Sequence, residues 1–165
     1  MKTLLLLRHA HAHGGGSHMA DHDRPLSPAG ESQALEIGRR LARENLRPEL
    51  VLSSTAERAR STGDALLAAG LEQTPIESSV RLYGAGPIVF LEFLRGIPDQ
   101  VRTVLLIAHN PGLEEFLHLL TGDRPVLAPG TLARVAVTVD RWGDLMDGAV
   151  GRLTGLWPPT GPDSE

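Results

Sequence analysis

Leu4-Leu5-Leu6-Leu7-Arg8-His9 and Val104-Leu105-Leu106-Ile107-Ala108-His109 decide the fold of this chain. Each is a short, continuous apolar run that ends on a histidine and passes into turn residues. Runs of this length and composition read as strands buried on both faces. In open α/β sheets, ligands bind beyond the carboxyl ends of parallel strands. If both runs are parallel strands of one sheet, His9 and His109 face one pocket. An arginine beside a nucleophilic histidine, as at Arg8-His9, suits taking up a phosphoryl group.

Working outward, Thr3 to Leu7 is the first strand and Ala10 to Pro25 a loop rich in Gly, His and Asp. Ser27-Pro28 marks a helix start, with Ser as N-cap and Pro at the first helical position. Ala34, Leu35, Gly38, Leu41 and Ala42 recur at helical spacing as its inner face, and Pro48 marks its stop. Leu50 to Leu52 is a second strand. A helix from Ala56 to Ala69 follows, with Ala59, Gly63, Leu66 and Leu67 inside and Gly70 at its end. Pro75 to Glu77 reads as an edge strand, Pro87 to Leu94 as a short helix, and Val101 to Ala108 as the clearest strand. Pro111 to Leu120 is a further helix. Ala133 to Val139 and Val150 to Leu156 form a closing pair.

Alternation of this kind implies a three-layer α/β/α sandwich, with a mostly parallel sheet and an antiparallel edge. One domain over 1–157 and a frayed tail over 158–165 are expected. Trp142 and Trp157 read as edge-packing residues.

Composition narrows the function. The 165 residues carry a net charge of −4, which gives no general reason to expect nucleic-acid binding. Lys2 is the only lysine among 16 basic residues, so arginine supplies the cations. Cysteine is absent, which excludes disulfides, thiolate catalysis and cysteine metal sites. The apolar start is shorter than the ~7–15 residues of a secretory signal core. No stretch reaches the ~20 apolar residues of a membrane span. A cytoplasmic protein without a membrane segment is the expectation.

Phosphoryl transfer needs a nucleophile, with cations and donors preorganised around the non-bridging oxygens. The chain offers them at its strand-to-loop and loop-to-helix junctions: Arg8-His9, Arg24 before the first helix, Arg58 in the first turn of the second, and His109 before the helix at Pro111. Helix starts add backbone N–H groups aimed at an anion.

These residues fall in ordered blocks: Leu-Arg-His-Ala at 7–10, Asp-Arg-Pro-Leu-Ser-Pro-Ala-Gly at 23–30, Ser-Ser at 53–54, Arg-Ala-Arg-Ser-Thr at 58–62, Leu-Tyr-Gly-Ala at 82–85 and His-Asn-Pro-Gly at 109–112. In this the chain resembles the histidine phosphatase superfamily, with its phosphoglycerate-mutase-like fold. It is most similar to the small SixA-type phosphohistidine phosphatases, over residues 3 to 156. The resemblance implies that His9 attacks phosphorus and becomes phosphohistidine. Arg8, Arg58 and His109 would hold the phosphoryl oxygens, Arg24 would complete the pocket, and no metal or cofactor would be needed. The implied substrate is a phosphorylated protein.

The chain departs from the superfamily in three places. Ala10 replaces the signature's glycine, and Thr55 stands where many relatives carry proline. Larger relatives place a proton-donating glutamate in an insertion before the last histidine, and here the stretch Leu82 to Gly86 has no carboxylate. Glu77 and Glu92 flank it, while Asp21, His22 and Asp23 are other donors. A site without a dedicated acid favours phosphohistidine, whose imidazole leaving group brings its own proton. Small-molecule phosphomonoester hydrolysis and non-catalytic phosphate binding on the same fold are the alternatives.

Plainer readings stand beside these. Arg24 pairs either with the phosphate or with Asp21 or Asp23. Arg60 is solvated. His11, His13, His18 and His22 match no zinc spacing and read as a solvated loop. His118 is surface or rim, and Tyr83 lines the pocket mouth or packs. The proton on His9 calls for a backbone acceptor, for which the loop Gly14–Gly16 is the candidate.

Overall fold

The computed structural model describes residues 1–146, 148 and 150–160. Its elements run β1 (Lys2–Arg8), α1 (Pro28–Arg43), β2 (Leu50–Ser54), α2 (Glu57–Leu66), β3 (Ile76–Ser79), α3 (Pro87–Arg95), β4 (Thr103–Ala108), α4 (Gly112–Thr121), β5 (Leu132–Val137) and β6 (Gly151–Trp157). The strands form one sheet in the order β3-β2-β4-β1-β5-β6. The β3-β2, β2-β4 and β4-β1 pairs are parallel, and β5 and β6 add an antiparallel edge. This is the expected mixed α/β sheet.

The leucine run of β1 lies at the centre of the sheet, so both its faces need cover. Leu4 and Leu6 pack into a core shared with Phe90 and Leu94 of α3 and Phe116 and Leu117 of α4. Leu5 and Leu7 face the other way, toward Ile37 and Leu41 of α1 and Ala59 and Leu66 of α2. Alternation of side chains along a strand is what sends consecutive leucines into different layers. Each buried leucine stabilises the fold by about 1.5–3 kcal/mol.

Helix α1 starts as its sequence implies, with Ser27 Oγ accepting from the Gly30 N–H at 3.0 Å and Pro28 in the first turn. It ends at Arg43, short of Pro48, because Asn45 turns left-handed (φ 55°) and the Leu46 N–H returns to the Leu41 carbonyl. Its inner face is rotated from the expected one. Ile37 and Gln33 are buried, and Leu35 and Ala42 only half-buried. Helix α2 passes at Leu67–Leu71 into a wider π turn, which Gly70 closes at φ +128°.

Trp142 corrects the expectation for its ring. It is fully buried in the core beneath α3 and α4, and its indole N–H donates to the Val101 carbonyl at 2.8 Å. A short 3-10 turn, Trp142–Asp144, folds the β5–β6 connection inward to place it there. Trp157 does sit on the edge strand β6, against the opposite core. Of the expected tail, Pro158–Thr160 lie near Gln33 and Gly130, and residues 161–165 fall outside the described part.

Two glycines of the sequence blocks owe their identity to close approach. A Cβ on Gly30 would lie 1.9 Å from the His11 carbonyl oxygen, and one on Gly112 would lie 1.9 Å from that of Ala85. Both let a helix start press against a loop beside the two histidines.

Candidate active site

Arg8 is the last residue of β1 and Ala108 the last of β4, and the two are paired in register. His9 and His109 each follow by one residue, and the His9 N–H donates to the Ala108 carbonyl at 3.2 Å. Their rings therefore meet, with centroids 5.1 Å apart. Both side chains are buried.

The His9 ring is oriented by its immediate neighbour. Nδ1 lies 2.8 Å from the Ala10 carbonyl, which can only accept, so Nδ1 carries the proton. Ala10, and not the loop Gly14–Gly16, is thus the acceptor, because that loop lies exposed away from the ring. Nε2 is left with its lone pair and receives the Arg58 Nε–H at 3.3 Å. The Ala10 N–H is anchored by Thr62 Oγ1, whose hydroxyl donates to the Arg58 carbonyl.

His109 is held at its far nitrogen. Ser54 Oγ accepts from the Ala56 N–H and lies 2.8 Å from His109 Nε2. When the Ser54 hydroxyl donates to Nε2, the imidazole proton sits on Nδ1. Among the described residues, that Nδ1 is buried without a hydrogen-bond partner, and so is Arg8 Nε. Unpaired buried donors are costly, at about 1–3 kcal/mol each, and two in one pocket suit the oxygens of an anion. Arg8 Nη1 is fixed by the Leu127 carbonyl at 2.9 Å. Glu114 Oε1 accepts from the Leu127 N–H and the Asn110 amide, and that amide also donates to the Leu127 carbonyl.

Arg58, buried in the first turn of α2, reaches His9 on one side and Asp21 on the other. Asp21 also accepts from the Tyr83 hydroxyl and from Arg24 Nε. Together Tyr83 and Arg58 hold the Asp21 carboxyl well below the usual carboxylate range, and Asp21 pushes the Tyr83 hydroxyl up. Tyr83 stands edge-on to His109 with ring centroids 5.5 Å apart, so it lines the pocket mouth. His22 closes the rim, bonded to Thr55 and edge-on to Tyr83.

The structure brings His9, His109, Arg8 and Arg58 together. Arg24 is tied to Asp21 and to the His13 carbonyl, and among the described residues it meets the pocket through Asp21. Arg60 is exposed, and His118 lies on α4 with Arg124 and the Gly122 carbonyl. Glu77 and Glu92 line a separate cleft of about 460 Å³, where Glu92 pairs with Arg81. The loop histidines make separate contacts, with His11 on Ser27 and His22 on Thr55. Ser54 and Glu114 drew no role from the sequence. Ser54 stood in a quoted block, whereas nothing local marks Glu114.

Burial, then the neighbouring charges of His109, Arg58 and Arg8, lowers His9 from 6.5 to about 3. Burial and then Arg58 lower His109 to about 4. Both imidazoles are neutral at pH 7, and folding favours the neutral forms. As pH falls below 6.5, the unfolded chain takes up protons that the folded chain refuses, so stability drops until both groups titrate in the fold. The acid limb of kcat/KM is accordingly expected near pH 4 or below. A pH–rate profile with its limb at 6.5 would show a solvated nucleophile instead.

Known proteins are similar to this chain in sequence and fold. A family model described as histidine phosphatase superfamily (branch 1) matches residues 4–83. An uncharacterized protein of Mycobacterium tuberculosis is 34% identical over 144 residues, 87% of this chain and 85% of its own. The SixA protein of Nakamurella multipartitia, provisionally named a phosphohistidine phosphatase, superposes with a TM-score of 0.85 at 29% identity, over 97% of each chain. The SixA protein of Agrobacterium tumefaciens, named in the same way, gives 0.83 at 28% identity, over 96% of this chain and 98% of its own. The chain belongs to the histidine phosphatase superfamily and has its phosphoglycerate-mutase-like fold, in a form similar to the SixA proteins.

Proposed function

We propose that the chain is a phosphohistidine phosphatase that works through a phospho-His9 intermediate. The observation that carries this reading is His9 Nε2. It is an unprotonated imidazole nitrogen with its tautomer set by Ala10, facing Arg58 and close to the unpartnered donors of Arg8 and His109. Nε2 attacks phosphorus in line while the bond from phosphorus to the substrate's leaving nitrogen breaks. The arginines and His109 Nδ1–H take the charge on the non-bridging oxygens. Water then attacks the phospho-His9 phosphorus, the P–N bond breaks, inorganic phosphate leaves and Nε2 regains its lone pair.

The leaving group points to the substrate class. Asp21, which touches Arg58 at the pocket's edge, is held ionised and cannot protonate a leaving alkoxide at neutral pH. Proton donation to the leaving group is worth typically ~10²–10⁴-fold, and an ester needs it. A phosphohistidine imidazole brings its own proton. Phosphohistidine on a protein is therefore the proposed substrate, and none of the steps calls for a metal.

The test is phosphate release, in EDTA, from a phosphohistidine-bearing protein and from a sugar phosphate. The expected result is a kcat/KM at least ~10²-fold higher for phosphohistidine. Faster turnover of the ester would move the assignment to small phosphomonoesters. Loss of activity to the chelator would overturn the metal-free scheme.

A further inference from the structure

Arg58 is gripped from outside the pocket by a residue that the proposed chemistry does not use. Its Nη1 donates to the Asp21 main-chain carbonyl at 2.7 Å, and its Nη2 to Asp21 Oδ2 at 3.0 Å. Asp21 thus occupies both terminal nitrogens, while Nε is turned to His9 Nε2. A guanidinium presents five N–H bonds in one rigid plane. Fixing its outer end at two points fixes where its inner edge looks.

Asp21 is itself secured. Oδ2 also accepts from the Tyr83 hydroxyl at 2.5 Å, and Oδ1 accepts from Arg24 Nε at 3.0 Å. Its 3-10 turn, Asp21–Asp23, is pinned through His22 to Thr55 at the entrance to α2. The Asp21 side chain is 55% exposed and that of Arg58 only 5%. Such an exposed carboxylate contributes little to the core. Its placement instead serves the buried arginine.

We infer that Asp21 is a positioning residue, holding Arg58 end-on so that its inner edge faces the phosphoryl group at His9, with Tyr83 and Arg24 holding Asp21 in turn. The inference rests on the phosphatase reading above, in which Arg58 binds the phosphoryl oxygens. It assigns Arg24 an indirect role and gives the hydroxyl of Tyr83 a task. The opposing account makes Asp21 a rival anion that phosphate must displace from Arg58. The two accounts differ in sign.

Calorimetric titration of inorganic phosphate into wild type, Asp21→Ala, Asp21→Asn, Arg58→Ala and the Asp21→Ala/Arg58→Ala double variant separates them. Asp21→Ala is expected to weaken phosphate binding about 10-fold, since a small misplacement of a binding group costs that much or more. Asp21→Asn keeps an oxygen acceptor and the main-chain carbonyl, and should recover most of the loss. In the Arg58→Ala background, Asp21→Ala should add nothing, because the residue acts through Arg58. Asp21→Ala loses its bonds to Arg58, Tyr83 and Arg24, so its unfolding midpoint should fall modestly while the variant stays folded at the temperature of the titration.

Tighter phosphate binding by Asp21→Ala would establish the rival-anion account and overturn this one. Unchanged binding, or a loss that persists without Arg58, would also overturn it. Wild-type binding that does not depend on Arg58 would reject the phosphatase reading itself, and the role of Asp21 with it.

Discussion

Replacing His9 with alanine is expected to abolish phosphate release, by at least about 10³-fold, and to leave no acid-labile phosphate on the protein. The imidazole is a buried group whose unprotonated nitrogen, Nε2, faces Arg58 beside Arg8 and His109. Without it, water must attack the substrate directly, aided only by the remaining donors. The substitution also removes a ring that burial already disfavours when charged, so the variant should fold and lose less stability in acid than wild type. Incubation with a radiolabelled phosphohistidine protein, followed by an alkaline detergent quench that preserves phosphohistidine, reads both turnover and labelling. Wild-type turnover in the variant would place the nucleophile elsewhere.

Arg58→Ala is expected to lower kcat/KM by about 10²-fold or more, the usual consequence of deleting one preorganised donor to a transition-state oxygen. A second signature separates this from general damage. Arg58 depresses both His9 and His109 through its charge. Removing that charge relieves the repulsion on each imidazolium, so the acid limb of the pH–rate profile should move to higher pH. A fall in rate with the limb unmoved would mean that Arg58 does not sit against the histidines. Near-wild-type kcat/KM would mean that the pocket is drawn around the wrong arginine.

The sheet and its two histidines were legible because their signals are local. Apolar runs that end on His9 and His109 state both the strand and the point where it stops. The Ser27-Pro28 start was equally plain, since an N-cap acts within one turn. Other features were hidden for physical reasons. Leu127 meets Arg8 across 119 residues, and only its carbonyl takes part, so its side chain says nothing of the contact. Ile37 rather than Leu35 faces the core because helix rotation is settled by packing and not by spacing alone. Trp142 was misread because an isolated ring near the chain end carries no period to place it. Arg24 had two partners within reach, and the fold tied it to Asp21.

The adjacency of β1 and β4 has a consequence for how such a protein can change. The proposed nucleophile, His9, and His109 stand one residue beyond a paired position on neighbouring strands. Their separation is therefore the interstrand repeat, about 4.8 Å, which backbone hydrogen bonds hold constant whatever the side chains do. Loops at the rim can lengthen, shorten or change charge without altering that gap. Reactivity is tied to a constant of the polypeptide, and substrate range is left free to drift around it.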